Sequence, residues 1–165
     1  MRPLDIAIAG CGPAGLATAL LLHRDGHRVT LFDRFDTPRP IGSGLMIQPT
    51  GLAVLRALGL DAQIRAYGAR IERLVGEAGA RTVLDVRYAA LPGRARFGIG
   101  IHRASLFAIL HAAVVAEGIA VQTGRAVAAS TVGADSRRSL VFAGGGGAGP
   151  FDLLVDALGT RTPLA

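Results

Sequence analysis

Gly10, Gly12 and Gly15 stand in the order G-x-G-x-x-G, with Cys11, Pro13 and Ala14 between them. Glycines at this spacing can hold a pyrophosphate against bare backbone. Gly10 permits a tight turn, and Gly12 leaves no Cβ where a phosphate would approach. Gly15, with Ala19 one helical turn further on, lets a helix lie close to a sheet. The start of such a helix adds unpaired N–H groups and a partial positive charge for the phosphates. Pro13 suits that first turn, where its missing N–H costs nothing. Asp33 supplies the other half of the pattern, a carboxylate about 20 residues on that can accept hydrogen bonds from ribose hydroxyls. The same charge disfavours a 2′-phosphate, an effect softened by the neighbouring Arg34. Gly10, Gly12, Pro13, Ala14, Gly15, Asp33 and Arg34 form the first group of cofactor-binding candidates. Cys11 occupies a variable position and reads as a small buried filler. The spacing alone does not choose between FAD and NAD.

The elements around this turn must be strand, helix and strand. Residues 5–9 are a short apolar run, and residues 16–25 continue as an apolar helix that Gly26 can stop. Residues 28–33 read as a second strand, which completes a βαβ unit of about thirty residues. A Pro/Gly loop follows at 37–44. A helix is expected from Thr50, a good N-cap, to Gly59, with a shorter one at 61–67. Residues 70–75 and 81–88 read as paired strands around 76–80. Residues 91–100 read as irregular. A helix at 105–117 carries Leu106, Ile109, Leu110, Ala113 and Val114 on one stripe and stops at Gly118. Strands are expected at 119–122, 125–131, 139–142 and 151–157, with a glycine turn at 143–149. The sum is an α/β, Rossmann-like FAD/NAD(P)-binding domain with a mostly parallel sheet and flanking helices. Residues 125–157 would add an antiparallel element that covers one side.

Composition narrows the alternatives. The chain has 165 residues, half of them hydrophobic, which suits one globular domain. The net charge of +6 comes entirely from scattered arginines, and aromatic residues make up 5%, which does not build a basic stripe with stacking platforms for nucleic acid. A single cysteine excludes an internal disulfide and zinc sites built on paired cysteines. The four histidines show no metal-binding spacing, and no nucleophile-elbow motif occurs. No apolar run reaches the ~18 residues needed to span a bilayer, and the start lacks a signal-peptide pattern, so a cytoplasmic location is expected.

Four segments, in order, give the chain a family likeness. Gly10-Cys11-Gly12-Pro13-Ala14-Gly15-Leu16 resembles the GxGPAGL form of FAD-dependent monooxygenases related to para-hydroxybenzoate hydroxylase. Arg39-Pro40-Ile41-Gly42-Ser43-Gly44-Leu45, with Gln48-Pro49-Thr50-Gly51-Leu52, resembles that family's loop and helix near the flavin. Ile101-His102-Arg103-Ala104-Ser105-Leu106 is similar to its HRxxL segment. Residues 152–162, which begin Asp152-Leu153-Leu154-Val155, resemble its DLLVGADGxxS segment, except that Asp156 replaces the usual Gly and Leu158 the usual Asp.

The resemblance implies FAD as cofactor, NAD(P)H as electron donor and oxygen-dependent hydroxylation of an aromatic or similarly activated small molecule. It implies that Arg103 contacts the FAD and that the backbone at Gly44 lets the flavin ring approach. It names no catalytic side chain, because the cofactor carries the hard chemistry. Asp36 and Arg39 read as solvated. The family's later GD-containing FAD motif and most of its substrate domain would follow residue 165. The expectation is therefore a single incomplete FAD-binding domain over 1–165, unable to hydroxylate alone, with 70–90 as strands of a substrate-domain sheet. Two other readings stay open: a non-catalytic nucleotide-binding module, and an NAD-dependent dehydrogenase domain.

Overall fold

A computed structural model describes residues 2–37, 43–92 and 97–164. In chain order the elements are β1 (Asp5–Ala9), α1 (Pro13–Arg24), β2 (Arg28–Phe32), β3 (Gly44–Ile47), α2 (Pro49–Ala57), α3 (Asp61–Tyr67), β4 (Gly68–Ile71), β5 (Arg73–Ala78) and β6 (Arg81–Arg87). A 3₁₀ turn (Tyr88–Ala90) leads to β7 (Gly98–His102) and α4 (Arg103–Ala116). The chain then forms β8 (Ala120–Gln122), β9 (Val127–Val132), β10 (Arg138–Phe142), β11 (Gly147–Phe151) and β12 (Leu153–Asp156). It divides into two units, residues 1–39 with 110–165, and residues 40–109.

The first unit is built on a four-stranded sheet of order β12-β1-β2-β8, parallel throughout. Ile6, Ala7, Ile8 and Ala9 on β1 are all buried. That uninterrupted apolar run is what an inner parallel strand covered on both faces requires. Helix α1 buries Leu16, Ala19 and Leu20. It ends in a Schellman closure, in which Gly26 N–H donates to His23 O at 2.9 Å and His27 N–H to Leu22 O at 3.1 Å. Helix α4 closes the same way at Gly118, with bonds to Val115 O at 3.0 Å and from Ile119 to Val114 O at 3.1 Å. Arg24 and Glu117 tie these two helix ends together at 2.9 Å.

A three-stranded antiparallel sheet, order β11-β10-β9, supplies the added element. Its Phe142 and Phe151 rings lie 5.7 and 5.8 Å from the Phe32 ring of β2. Ala7, Ala9, Phe32, Val127, Leu140 and Phe142 form one cluster. Full burial of one such phenylalanine contributes about 1.5–3 kcal/mol. The expected antiparallel range of 125–157 is too long. Residues 147–151, expected largely as turn, form β11, and β12 leaves this sheet to pair in parallel with β1.

The second unit holds an antiparallel sheet of order β3-β7-β4, the helices α2 and α3, and a separate β5-β6 hairpin. Helix α2 starts at Pro49 with Gln48 as its N-cap residue, not at Thr50 as expected. Proline at the first helical position is pre-set for the turn, and that preference outweighs threonine's capping value here. Gly51 lets α2 sit close on β3, since a Cβ there would lie 2.9 Å from Ile47 Cγ2. Residues 98–100, read as the end of an irregular stretch, belong to the central strand β7. The expected strand at 70–75 is two strands: Arg70 and Ile71 pair with β7, and Arg73, Leu74 and Val75 pair with β6.

Candidate functional site

The glycine turn leaves the carboxyl end of β1, where the flanking strands β2 and β12 also end. Gly10 adopts φ +106° and donates its N–H to Phe32 O at 2.8 Å. A Cβ on Gly10 would come within 2.5 Å of Ala157 O, because β12 runs directly alongside. A Cβ on Gly15 would collide with the carbonyl oxygen of Gly10. Gly12 differs from both. Its backbone is extended, with φ −68° and ψ 173°, and a Cβ there would meet nothing within 4 Å. Protein packing therefore excludes side chains at Gly10 and Gly15, whereas the space before Gly12 is open.

That space adjoins the start of α1. Gly12 is the N-cap residue, Pro13 brings no N–H, and no side chain caps the helix. The first-turn N–H groups, including those of Ala14 and Gly15, thus have no side-chain acceptor, which is the condition for anion binding at a helix start. The turn fits a pyrophosphate on that ground.

Asp33 follows β2 directly. Its Oδ2 accepts from Cys11 N–H at 2.6 Å and its Oδ1 from Arg34 N–H at 2.7 Å. Its backbone is held as well, with N–H donating to Gln122 O at 3.1 Å and O accepting from Arg125 N–H at 2.8 Å. A carboxylate oxygen has two lone pairs, so each can still accept from a ribose hydroxyl. The bond to Cys11 is not readable from the spacing of the motif. Arg34 is exposed at the edge of this group. Cys11 is 1% exposed, and burial together with the Asp33 charge pushes its thiol up to about 12. Such a thiol stays protonated and unreactive at neutral pH, in keeping with a filler role.

The departure at 156–158 has a structural consequence. Leu158 packs against the cluster around Phe32 and Phe142. Asp156 Oδ1 accepts from Leu158 N–H at 3.0 Å, and its Oδ2 accepts from the Thr162 hydroxyl at 2.5 Å. The two residues thus organise the turn after β12 from the inside and the outside.

In the second unit, Gly44 opens β3 and pairs with His102, and Arg103, the first residue of α4, donates its N–H to Ser43 O at 3.2 Å. The fold therefore brings Gly44 and Arg103 together at one end of the β3-β7 pair, and the Arg103 side chain is exposed. Gly10, Gly12, Pro13, Ala14, Gly15, Asp33 and Arg34 are brought together in the first unit. Arg39, Ile41 and Gly42 of the flavin-loop resemblance lie outside the described residues. Among the described residues, no group of three or more His, Cys, Asp or Glu could hold a metal ion. Among them, too, no helix is long and apolar enough to cross a membrane.

The family model described as FAD binding domain matches residues 3–148. A phenazine 1,6-dicarboxylic acid hydroxylase from Lysobacter antibioticus is 41% identical over 113 residues, which cover 67% of this chain and 28% of that protein. A 3-amino-4-hydroxybenzoate 2-monooxygenase from Streptomyces cremeus is 35% identical over 133 residues, covering 77% of this chain and 33% of that one. The chain thus spans about a third of the length of these curated relatives. Among solved structures, 2-methyl-3-hydroxypyridine-5-carboxylic acid oxygenase superposes with a TM-score of 0.81 at 23% identity. That match covers 99% of this chain and 42% of the other, and at this identity it shows a shared fold.

Proposed function

This chain belongs to the FAD binding domain family, and from that premise we propose that it holds the FAD of an aromatic-hydroxylase-type monooxygenase. One observation carries the reading. Packing forbids side chains at Gly10 and Gly15, whereas Gly12, at the start of a helix that no side chain caps, opens onto free space from which a phosphate could reach bare backbone. The N–H groups at the start of α1 would take the pyrophosphate, and Asp33, steadied by Cys11 and Arg34, would take the adenosine ribose. Arg34 would stand beside that ribose. Gly44 would admit the flavin ring, and Arg103 would offer a cation to the cofactor.

When bound, FAD supplies the redox chemistry, accepting electrons from NAD(P)H and passing them to oxygen. The chain's own residues bind and orient it. The relatives' names point to a small aromatic substrate. Residues 70–90 are proposed as part of a substrate-domain sheet. The β5-β6 hairpin supports this, because Val75, Val83 and Leu84 are 49%, 62% and 47% exposed, and a lone two-stranded hairpin is marginal in water.

Titrating the purified chain with FAD, following flavin fluorescence with NAD as competitor, tests the reading. Saturable FAD binding that NAD does not displace is expected. Preferential binding of NAD would overturn the proposal in favour of a dehydrogenase domain.

A further inference from the structure

The arginines of this chain are used in two ways. Arg24, Arg28 and Arg73 each turn two nitrogens onto one carboxylate, of Glu117, Asp5 and Asp85 respectively. That arrangement engages the planar donor fork that makes a guanidinium a carboxylate receptor.

Arg65 and Arg70 differ. Arg65 Nε lies 3.5 Å from Asp61 Oδ2, and Arg70 Nε lies 3.1 Å from Glu72 Oε1. Neither approach closes as a hydrogen bond, so the donors of both guanidiniums are unused among the described residues. Glu72 is itself 73% exposed, and such surface pairs hold weakly.

Both heads are nevertheless fixed in place. Arg65 Cζ stands 4.9 Å and Arg70 Cζ 4.5 Å from the centroid of the Phe97 ring. Phe97 is buried at the start of β7, so the ring is a rigid support, and each distance is within cation–π range. Arg65 comes from α3 and Arg70 from β4, so the fold gathers two like charges at one ring. Arg56 also approaches Asp61, at 3.9 Å. Three arginines therefore share two carboxylates here, and one positive charge is left over. The surroundings add to it, because residues 40–109 carry nine arginines and four acidic residues. Cations that are oriented, in excess and without hydrogen-bonded acceptors form a prepared receptor for an anion.

We propose that Arg65 and Arg70 bind the carboxylate or phosphate group of a small-molecule anion, with Phe97 as the positioning residue of both. The shared chemistry is a pair of acceptor oxygens spaced to meet a guanidinium fork. The inference does not rest on the FAD reading, since none of these residues belongs to that site.

The test follows the arginine Nε–H signals of the whole chain by NMR during titration with sodium benzoate, inorganic phosphate or the neutral analogue benzamide. Benzoate or phosphate should move the Arg65 and Arg70 signals saturably, and benzamide should not. The tighter of the two anions identifies the group that the site takes. Arg65→Gln and Arg70→Gln should each weaken binding about tenfold. Arg70→Lys, which keeps the charge and loses the planar fork, should weaken it as well. Phe97→Leu keeps both charges and frees both heads, and should lower affinity by a smaller factor. Circular dichroism checks its fold, and the exposed arginine variants carry the test if the buried position does not tolerate the change. Arg73→Gln removes the same charge from an arginine already engaged by Asp85, and should bind as wild type. Absence of saturable shifts with either anion would overturn the proposal. So would wild-type affinity in Arg65→Gln and Arg70→Gln, or an equal loss in Arg73→Gln, which would show diffuse attraction to net charge.

Discussion

The carboxylate of Asp33 accepts a hydrogen bond from the backbone N–H of Cys11 at 2.6 Å, and so joins the end of β2 to the glycine turn after β1. The residue proposed to read the ribose also shapes the turn proposed to hold the pyrophosphate. Asp33→Ala should therefore act twice. Loss of a charged acceptor is worth about 1.5–3 kcal/mol, or roughly 10- to 100-fold in FAD affinity. The orphaned Cys11 N–H should also lower the melting temperature. Asp33→Asn keeps an acceptor and should recover most of the thermal stability but less of the affinity. Flavin titration and thermal melts on the same samples separate the two effects. Equal loss of both in Asp33→Asn and Asp33→Ala would show that charge, not the bond to Cys11, holds the turn.

Alanine at two glycines of the same turn should give opposite outcomes. Gly10→Ala must accommodate φ +106° and a Cβ 2.5 Å from Ala157 O. We expect destabilisation of about 2–4 kcal/mol, the range for strained backbone together with overpacking. Gly12→Ala has ordinary backbone angles and open space, so its melting temperature should stay within a few degrees of wild type. Its FAD affinity should fall at least tenfold as the methyl group enters the phosphate space. A Gly12→Ala chain that binds FAD normally would remove the main support for the proposed site.

Cys11 should resist alkylation in the native chain. Burial and the neighbouring Asp33 charge push its thiol up to about 12, so very little thiolate exists at neutral or mildly alkaline pH. Iodoacetamide labelling followed by mass spectrometry should be slow until the chain is unfolded, and then fast. Rapid native labelling at neutral pH would contradict the buried placement.

Acid should weaken the first unit through its two aspartates at the amino ends of β1 and β12. The Arg28 side chain, bonded to Asp5 at 2.5 Å, holds the Asp5 carboxyl below its usual range. Asp152 is held down by the backbone N–H of Asp5 at 2.9 Å, with the charges of Arg2 and Arg137 adding to it. Because both are depressed in the folded state, the unfolded chain binds more protons in acid. Their stabilisation is present above the unfolded aspartate value of about 3.9 and is lost as pH falls through the folded values. Urea unfolding across this range should show a smaller acid-dependent loss in Asp152→Asn than in wild type. The pairs are exposed enough that added salt should shrink the difference.

Local chemistry was legible in the sequence wherever it decides structure alone. Gly26 and Gly118 stop their helices, and the strand–turn–helix–strand order around Gly10 follows from the residues themselves. Strand β7 was not legible, because its first residues fall in the stretch 91–100 read as irregular. Gly98 is small because the Tyr88 hydroxyl lies 3.1 Å from its missing Cβ, and Gly100 because Ile71 Cδ1 lies 3.2 Å from its own. Those neighbours come from other parts of the chain. The same holds for β12, whose apolar run suits either sheet; its register of Ile8 with Val155 depends on residues more than a hundred positions apart.

By itself the sequence determined the glycine turn, the acidic residue after the second strand, the helix stops and the α/β class. All of these rest on turn geometry and periodicity acting over a few residues. Only the tertiary structure decided that Gly10 answers to Ala157 and Gly12 to open space, that Asp33 bonds to Cys11, and that Tyr88 holds Gln48. Those relationships join segments that meet only after the chain has folded. Their existence depends on long-range burial and hydrogen bonding, which no local pattern specifies.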